Sequence, residues 1–297
     1  MDKKCYIGAA GWSYKDWEGI VYPSTKKKNF SQLKYISKFF NTVEINSSFY
    51  RPPAPHTTKN WVKLVAENLN FSFSCKLWQK YTHDRKTLPT LNDEKMVKSG
   101  LDPLLESGKL GALLVQFPWS FKNEKENREW LDKIIELFKN YRPVIEVRHL
   151  SWNNPEVFEY LKNKKVGFAN IDQPVIGKSL TLSAKATSNI AYLRLHGRNY
   201  KNWFKDSANA VSRYDYLYNE SELSDISDII SNLIENNPKT YIIFNNHYRG
   251  QAIANALQTL FFIEKRKVSV PPTMVDAFPA LKKIALEEEH QGQLSIF

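Results

Sequence analysis

Cysteine is scarce in this chain, and long apolar stretches are missing from it. Among the 297 residues only Cys5 and Cys75 carry thiols, and both lie inside short apolar runs. Because thiols in buried strands usually serve as small apolar side chains, we expect neither a disulfide nor a metal-binding cysteine pair. No apolar run approaches the roughly 20 residues that a membrane-spanning helix needs, so we expect no membrane partner.

Signals for secretion, nucleotide binding and interdomain linkage are also missing. The first apolar run begins at Cys5, which leaves no room for a secretory signal, and we expect a cytoplasmic protein. The GAAG stretch at residues 8–11 is too short for a nucleotide-binding fingerprint. No segment rich in glycine, serine or proline divides the chain. We therefore expect one barrel domain at residues 1–286 and a tail at residues 287–297.

The chain contains fewer acidic than basic residues. The chain has 42 Lys and Arg against 31 Asp and Glu, which gives a formal net charge of +11. This balance favours an anionic small molecule or a nucleic acid as partner. It also suits a solvated, lysine-rich surface, because the lysines are mostly scattered and the tightest run is KKKNF at residues 26–30. Charge alone leaves both interpretations open.

Eight short apolar runs, each ending in a polar or aromatic cluster, are the most informative feature. The runs are CYIGAAGWSY, TVEINSSFYR, FSFSCKLW, ALLVQFPWS, VIEVRHLSW, VGFANIDQP, AYLRLHGR and TYIIFNNHYRG. Helical patterns lie between them, with Ser31 suited to an N-cap and Pro155 to a first helical turn. Alternating strands and helices predict a parallel sheet. We predict an α/β fold, a single (β/α)8 TIM-type barrel with its site at the C-terminal mouth.

Two long stretches exceed the minimal strand-and-helix unit of such a barrel. One spans residues 79–105 after the third strand, and the other spans residues 199–220 after the seventh. Loops of this length on the catalytic face are usually lids or binding loops. We therefore predict long insertions after strands 3 and 7.

Side-chain alternation predicts which polar groups enter the mouth, because residues two apart on a strand share a face. We expect the two glutamates Glu44 and Glu146 to act as general acid or base, and His196 to transfer protons. We expect four cationic residues to hold an anion, namely Lys76, Arg148, Arg194 and Arg198. The predicted substrate-binding residues are Trp12, Tyr14, Asn46, Tyr50, Lys76, Gln116, Arg148, Trp152, Arg194, Asn245 and Asn246.

These assignments have structural alternatives. The charged residues could pair inside the barrel, and the aromatic ones could cover helix ends instead of stacking on a base or sugar. A barrel that needed only stability would fill its upper layers with Val, Ile and Leu, so polar groups on most strands favour a ligand. We expect no metal and no cofactor, since HExxH and CxxC spacings are absent. The alternative is a zinc or manganese site formed by His149, Asp172, His196 and His247.

Seven dispersed motifs carry a family resemblance. GWSYKDWEGIVYP, VEINSSFYRPP, FSFSCKLWQKYTH, LLVQFP, EVRHLSW, RLHGR and FNNHYRGQAIANA together resemble the YecE-like proteins, the family of domain of unknown function 72. The resemblance implies a TIM-type barrel and supplies no activity. The residues of this chain that correspond to the family's motif positions are Trp12, Tyr14, Trp17, Tyr22, Glu44, Asn46, Phe49, Tyr50, Lys76, His83, Gln116, Pro118, Glu146, Arg148, Trp152, Arg194, His196, Gly197, Asn245, Asn246 and Asn255. One departure is GAAGW, which lacks the hydroxyl residue typical before this Gly-Trp pair.

The end of the chain carries a second resemblance. Residues 293–297, QLSIF, are similar to the short peptide by which bacterial polymerases and repair proteins bind the sliding clamp. In this interpretation Gln293 supplies hydrogen bonds, while Leu294 and Phe297 enter apolar pockets of the clamp. The alternative is that the same apolar residues pack against the chain's own barrel.

These features together predict a hydrolase or lyase that acts on a phosphate- or nucleic-acid-related substrate. One alternative is a sugar hydrolase or isomerase that uses Glu44 and Glu146 as a carboxylate pair. The other is a non-enzymatic nucleic-acid-binding protein that works with the sliding clamp.

Overall fold

The computed structural model describes residues 3–25, 28–85, 87–203 and 213–286. In these ranges eight parallel strands close into a barrel in chain order, with the eighth strand hydrogen-bonded to the first. The strands are β1 (Lys4–Ala10), β2 (Thr42–Ile45), β3 (Ser72–Lys76), β4 (Leu110–Gln116), β5 (Pro143–Glu146), β6 (Gly167–Asp172), β7 (Ile190–Leu195) and β8 (Lys239–Phe244). The predicted (β/α)8 TIM-type fold is confirmed.

Helices connect most of the strands. They are α1 (Gln32–Ile36), α2 (Ser47–Tyr50), α3 (Pro55–Leu64), α4 (Leu91–Glu106), α5 (Lys125–Phe138), α6 (Pro155–Asn163), α7 (Glu220–Asn236), α8 (Gln251–Glu264) and α9 (Pro272–Ala277). Two predicted helix starts are confirmed. The Ser31 side chain accepts a hydrogen bond from the backbone N–H of Lys34, and Pro155 opens α6.

The core has two layers because strand side chains alternate between the inside and the outside of the barrel. Outward residues such as Val43 and Ile45 pack with the helices in one large cluster. A smaller cluster fills the barrel interior, where the rings of Tyr6 and Tyr241 stack with centroids 4.5 Å apart. This apolar filling closes the interior and supports the polar residues at the C-terminal end.

The connection from β6 to β7, residues 173–189, contains no helix. The side chain of Asn170 fastens it instead, since its Oδ1 accepts from the N–H of Lys185 at 2.8 Å and from Ser183 Oγ at 2.7 Å. The Nδ2 of Asn170 donates to the carbonyl of Lys185 at 2.8 Å. The loop is therefore held directly on the strand that precedes it.

Two predicted regions fall partly or wholly outside the described residues. The stretch after β7 includes residues 204–212, and the tail spans residues 287–297, which contain Gln293, Leu294 and Phe297. The proposed clamp-binding role of the tail stays a prediction. Within the described ranges, no helix combines the length and the apolar character required to cross a bilayer.

Candidate functional site

A cavity of about 410 Å³ lies at the C-terminal mouth of the barrel. Residues at or just after the ends of six strands (β1, β2, β3, β4, β7 and β8) form its wall. The lining residues are Gly11, Trp12, Ser13, Tyr14, Asn46, Ser47, Phe49, Tyr50, Lys76, Gln116, Arg194, Tyr214, Asn245 and His247. The cavity therefore combines aromatic faces, amides and cationic side chains, as the strand ends predicted.

Arg194 lies at the base of this cavity, between two buried carboxylates. Its Nη2 donates to Oε1 of Glu44 at 2.6 Å, and its Nε donates to Oε2 of Glu44 at 3.0 Å. Its Nη1 donates to Oε2 of Glu146 at 2.5 Å. All three residues are fully buried in the barrel. One guanidinium therefore compensates two carboxylates that would be costly to bury alone.

Glu146 has a second arginine partner. Arg148 donates to its Oε1 from Nη2 at 2.9 Å and from Nε at 3.1 Å. Burial of Glu146 opposes ionisation, but the charges of Arg194 and Arg148 outweigh burial and hold its pKa well below the usual range. Glu146 is therefore a permanent carboxylate at neutral pH and not a proton donor.

His196 is buried beside this carboxylate. Its Nε2 lies 3.5 Å from Oε1 of Glu146, and its Nδ1 lies 3.0 Å from Nδ2 of Asn245. Burial lowers the pKa of His196 to about 3, and the nearby Arg148 and Arg194 lower it in the same direction. The three predicted catalytic residues, Glu44, Glu146 and His196, do come together, but they form the floor under the cavity and do not line it.

Lys76 is the last residue of β3 and lines the cavity. Its Nζ lies 3.8 Å from the centroid of the Phe49 ring. In the part of the chain that the structure describes, no carboxylate forms an ion pair with it, since Glu44 and Glu146 bond to arginines instead. Burial, followed by repulsion from Arg194, lowers the pKa of Lys76 to about 7. An amine of this kind is partly uncharged at neutral pH.

Aromatic rings form one side of the cavity. The rings of Tyr14 and His247 stack with centroids 4.4 Å apart, and Tyr214 lies 5.2 Å from His247. Burial lowers the pKa of His247 to about 4, so its ring is neutral near pH 7. The hydroxyl of Tyr14 donates to the carbonyl of Ala10 at 2.6 Å, which fixes this ring over the end of β1.

Asp172 and Arg198 pair away from the cavity. Arg198 donates to both oxygens of Asp172, with distances of 2.9 Å from Nη2 to Oδ1 and 3.0 Å from Nε to Oδ2. The hydroxyl of Tyr218 donates to the same carboxylate at 2.6 Å. Arg198 is therefore engaged in an ion pair and is not among the residues that line the cavity, contrary to its expected place beside an anion.

The alternative metal site is not assembled within the described ranges. No three His, Cys, Asp or Glu side chains in those ranges lie together in a way that could hold a metal ion. Asp172 is bonded to Arg198 and Tyr218, while His149 contacts Ser151 through Nδ1 at 2.8 Å.

Two predicted substrate-binding residues lie inside the protein and away from the cavity. The Trp152 indole stacks on Phe121 and donates to its carbonyl at 2.6 Å. The Nδ2 of Asn246 donates to the carbonyl of Tyr216 and to Oδ1 of Asn255, both at 2.8 Å. Both side chains are buried, so we correct their assignment from substrate binding to packing and loop anchoring.

The other predicted substrate-binding residues lie at or next to the cavity. Those that line it are Trp12, Tyr14, Asn46, Tyr50, Lys76, Gln116, Arg194 and Asn245, and Arg148 lies beside it on Glu146. Tyr214 was missed, since it lies in the insertion after β7 where no strand periodicity applies. The sequence does indicate a place for His247 at the mouth, because His247 is two residues after Asn245 and shares its face by strand alternation.

The closed parallel barrel with a polar cavity at its C-terminal mouth defines a TIM-barrel protein. The sequence profile described as "Protein of unknown function DUF72" matches residues 6–276, and the chain belongs to this family. This membership confirms the resemblance that the dispersed motifs carry.

Three relatives support the assignment. The UPF0759 protein YunF of Bacillus subtilis is 31% identical over 286 residues, which cover 92% of this chain and 99% of YunF. The crystal structure of a DUF72 family protein from Thermotoga maritima has a TM-score of 0.77 and 34% identity, covering 88% of this chain and 99% of that one. A DUF72 family protein from Enterococcus faecalis has a TM-score of 0.78 and 27% identity, covering 88% and 96%.

Proposed function

We propose that the mouth cavity is the active site of a lyase that acts on a small anionic substrate, with Lys76 as its catalytic amine. One observation carries this proposal: Lys76 lines the cavity and has no carboxylate partner among the described residues, whereas Arg194, which also lines it, is bonded to both Glu44 and Glu146. A partly neutral amine at a barrel mouth suits proton abstraction or attack on carbon near pH 7.

The charge balance of the site supports an anionic substrate. The buried floor holds the carboxylates Glu44 and Glu146 against the guanidinium groups of Arg194 and Arg148, so these four charges cancel. Protonated Lys76 then adds one uncompensated positive charge at the cavity surface. A phosphate or carboxylate group of the substrate would supply the missing negative charge.

The aromatic side of the cavity supports an organic substrate instead of a bare ion. Trp12, Tyr14, Tyr50 and Tyr214 line the wall, and Tyr50 is 70% exposed at the rim. Such faces bury the apolar part of a ligand, while the amides of Asn46 and Asn245 bond its polar groups. This arrangement fits a compact phosphorylated or carboxylated molecule.

A lyase fits this site better than a sugar hydrolase with a carboxylate pair. Glycoside hydrolysis needs a carboxylic acid with a raised pKa and a second carboxylate at the substrate. Glu146 is held ionised, and neither Glu44 nor Glu146 lines the cavity. In our proposal both glutamates position Arg194, and the amine does the chemistry.

Anion binding tests this proposal, and sulfate is the probe because it stays doubly charged across the neutral pH range. Calorimetric titration at pH 6.5 should show saturable binding to the wild-type protein. The Lys76→Met variant should bind sulfate about 10- to 100-fold more weakly, since it loses a charged hydrogen-bond donor.

The matched control is Lys15→Met. Lys15 is exposed and follows Tyr14 on the same face of the barrel, but it does not line the cavity. This variant should bind sulfate like the wild type. Equal sulfate affinity in the Lys76→Met and Lys15→Met variants, both shown to be folded by circular dichroism, would overturn the proposal.

A further inference from the structure

The cavity offers few groups that can attack a carbon centre. Among the described side chains that line it, none is a carboxylate or a thiol. The nucleophiles there are the hydroxyls of serine and tyrosine, the imidazole of His247 and the primary amine of Lys76. Of these, only a primary amine condenses with a carbonyl group to form a carbon–nitrogen double bond.

The backbone around Lys76 is firmly held. Ser48 Oγ donates to the carbonyl of Lys76 at 2.6 Å, and the N–H of Leu77 donates to the carbonyl of Leu114 at 2.8 Å. The side chain rises from this fixed strand end, and its Nζ lies over the Phe49 ring. The amine is therefore presented to the cavity from a rigid base, as a covalent catalyst requires.

We propose that Lys76 forms a Schiff base with the carbonyl carbon of a small anionic aldehyde or ketone. This inference rests on the proposed lyase function and specifies its substrate class and its covalent intermediate.

The proposed step balances without an external oxidant or reductant. The lone pair of Lys76 Nζ attacks the carbonyl carbon, and the carbon–oxygen π bond opens as the oxygen takes up a proton. The resulting carbinolamine loses a proton from nitrogen, and its hydroxyl group takes up a second proton and leaves as water. The product is a protonated imine, which draws electrons from a neighbouring bond when that bond breaks. Hydrolysis returns the free amine.

The surroundings of Lys76 suit both the free amine and the cationic imine. With its pKa lowered to about 7, roughly half of the amine is uncharged at pH 7. An ordinary lysine with a pKa of about 10.4 has about a thousandfold less free amine at this pH. The protonated imine carries its charge where the ammonium lay, against the face of Phe49, which stabilises a cation.

Reductive trapping tests the inference. The full-length protein is incubated at pH 7 with pyruvate, a small ketone with a carboxylate, and sodium cyanoborohydride, which reduces the imine and fixes it as a stable amine. Peptide mass spectrometry then measures the fraction of each lysine that carries the reduced adduct. We expect at least about tenfold more adduct on Lys76 than on exposed Lys15, because Lys76 has far more free amine. Sulfate should suppress the Lys76 adduct by competing for the same charge.

Two variants make the result decisive. Lys76→Arg keeps the positive charge and cannot form an imine, so it should bind sulfate and lose the cavity adduct. Lys15→Arg should keep the Lys76 adduct at the wild-type level. Sulfate binding that depends on residue 76, together with equal trapping on Lys76 and Lys15, would overturn the Schiff base and leave the anion-binding lyase standing. If the wild-type protein shows neither sulfate binding nor an adduct on Lys76, the Schiff base and the proposed lyase function are both overturned.

Discussion

Arg194 bonds both carboxylate oxygens of Glu44, with Nη2 at 2.6 Å from Oε1 and Nε at 3.0 Å from Oε2. The same guanidinium reaches Glu146 through Nη1. A buried charge that loses its partner is strongly destabilising, whereas replacement of the whole group by apolar residues often is not. The three residues therefore act as one unit in the stability of the barrel.

The first prediction concerns this unit. Arg194→Met should lower the free energy of unfolding by about 3–5 kcal/mol, because it leaves two carboxylates buried without their shared partner. Urea unfolding followed by tryptophan fluorescence measures the loss. Arg266→Met is the control, since Arg266 is exposed and pairs with Glu264 at 2.9 Å. That variant should change stability by at most about 1 kcal/mol, and a loss of similar size in both variants would contradict the prediction.

The second prediction concerns acid and His196. Its pKa falls from 6.5 to about 3 in the folded protein, so the unfolded chain binds the proton more tightly. The contribution of His196 to stability is therefore complete above about pH 6.5 and is lost as the pH falls toward 3. Between pH 6.5 and pH 5 this loss amounts to about 1.6 kcal/mol.

The measurement compares the pH dependence of unfolding in the wild type and in His196→Gln. Removing the imidazole should reduce the loss of stability between pH 6.5 and pH 5 by about 1.6 kcal/mol, whatever its effect on stability at pH 7. The exposed His56 provides the control, because His56→Gln should keep the wild-type slope. Parallel curves for the wild type and His196→Gln would refute the prediction.

The third prediction concerns sulfate affinity and pH. With a pKa of about 7 in the free protein, Lys76 is largely charged at pH 6 and largely neutral at pH 8.5. Sulfate should bind about tenfold or more tightly at pH 6 than at pH 8.5, because only the ammonium form attracts the anion. Lys76→Arg should bind sulfate with little pH dependence over this range. An unchanged affinity in the wild type would count against Lys76 as the titrating group.

The fourth prediction concerns the turn that carries Tyr14. Gly11 has a φ of +83°, and a Cβ there would lie 2.5 Å from the hydroxyl oxygen of Tyr14. Gly108 has a similar φ of +71°, but a Cβ there would meet no atom within 4 Å. Gly11→Ala should therefore destabilise the protein by about 1 kcal/mol or more beyond Gly108→Ala, which adds backbone strain alone. Denaturant titrations of both variants would show equal losses if the Tyr14 contact were unimportant.

The fifth prediction concerns the tail, whose residues lie outside those described by the structure. Replacing Leu294 and Phe297 together with alanine should weaken binding to a purified bacterial sliding clamp about a hundredfold, because such anchors dominate peptide affinity. Gln291→Ala, which alters only the preceding tether, should bind like the wild type. Identical titrations for all three proteins, or no binding by any, would dispose of the tail hypothesis.

Strand periodicity predicted the fold and the buried charges well. Alternation along β2, β5 and β7 correctly placed Glu44, Glu146 and Arg194 on inward faces, because side chains on a strand point inward at every second residue. The composition of the strand ends then indicated a polar mouth. Which arginine would pair with which glutamate depended on distances across the barrel, and sequence spacing contains no such information.

Beyond the strand ends, side-chain alternation no longer predicts where a side chain points. Trp152 lies in a short 3-10 turn after β5, and its indole turns inward onto Phe121. Asn246 anchors the loop at Tyr216, a contact between residues 30 positions apart. In such segments the direction of a side chain depends on tertiary packing, so aromatic and amide residues near the mouth could not be sorted into ligand-binding and structural groups beforehand.

The helix-free connection between β6 and β7 has a consequence for local motion. The side chain of Asn170 holds this segment through bonds to Ser183 and Lys185. Other groups hold it too, because the N–H of Leu180 donates to the carbonyl of Arg148 and Thr187 Oγ1 donates to the carbonyl of Val166. None of these bonds belongs to the ladder between β6 and β7, so their loss would leave the strand hydrogen bonds between β6 and β7 intact. Local opening of this connection therefore requires the loss of contacts to the turn after β5 and to the residue before β6, as well as those to Asn170.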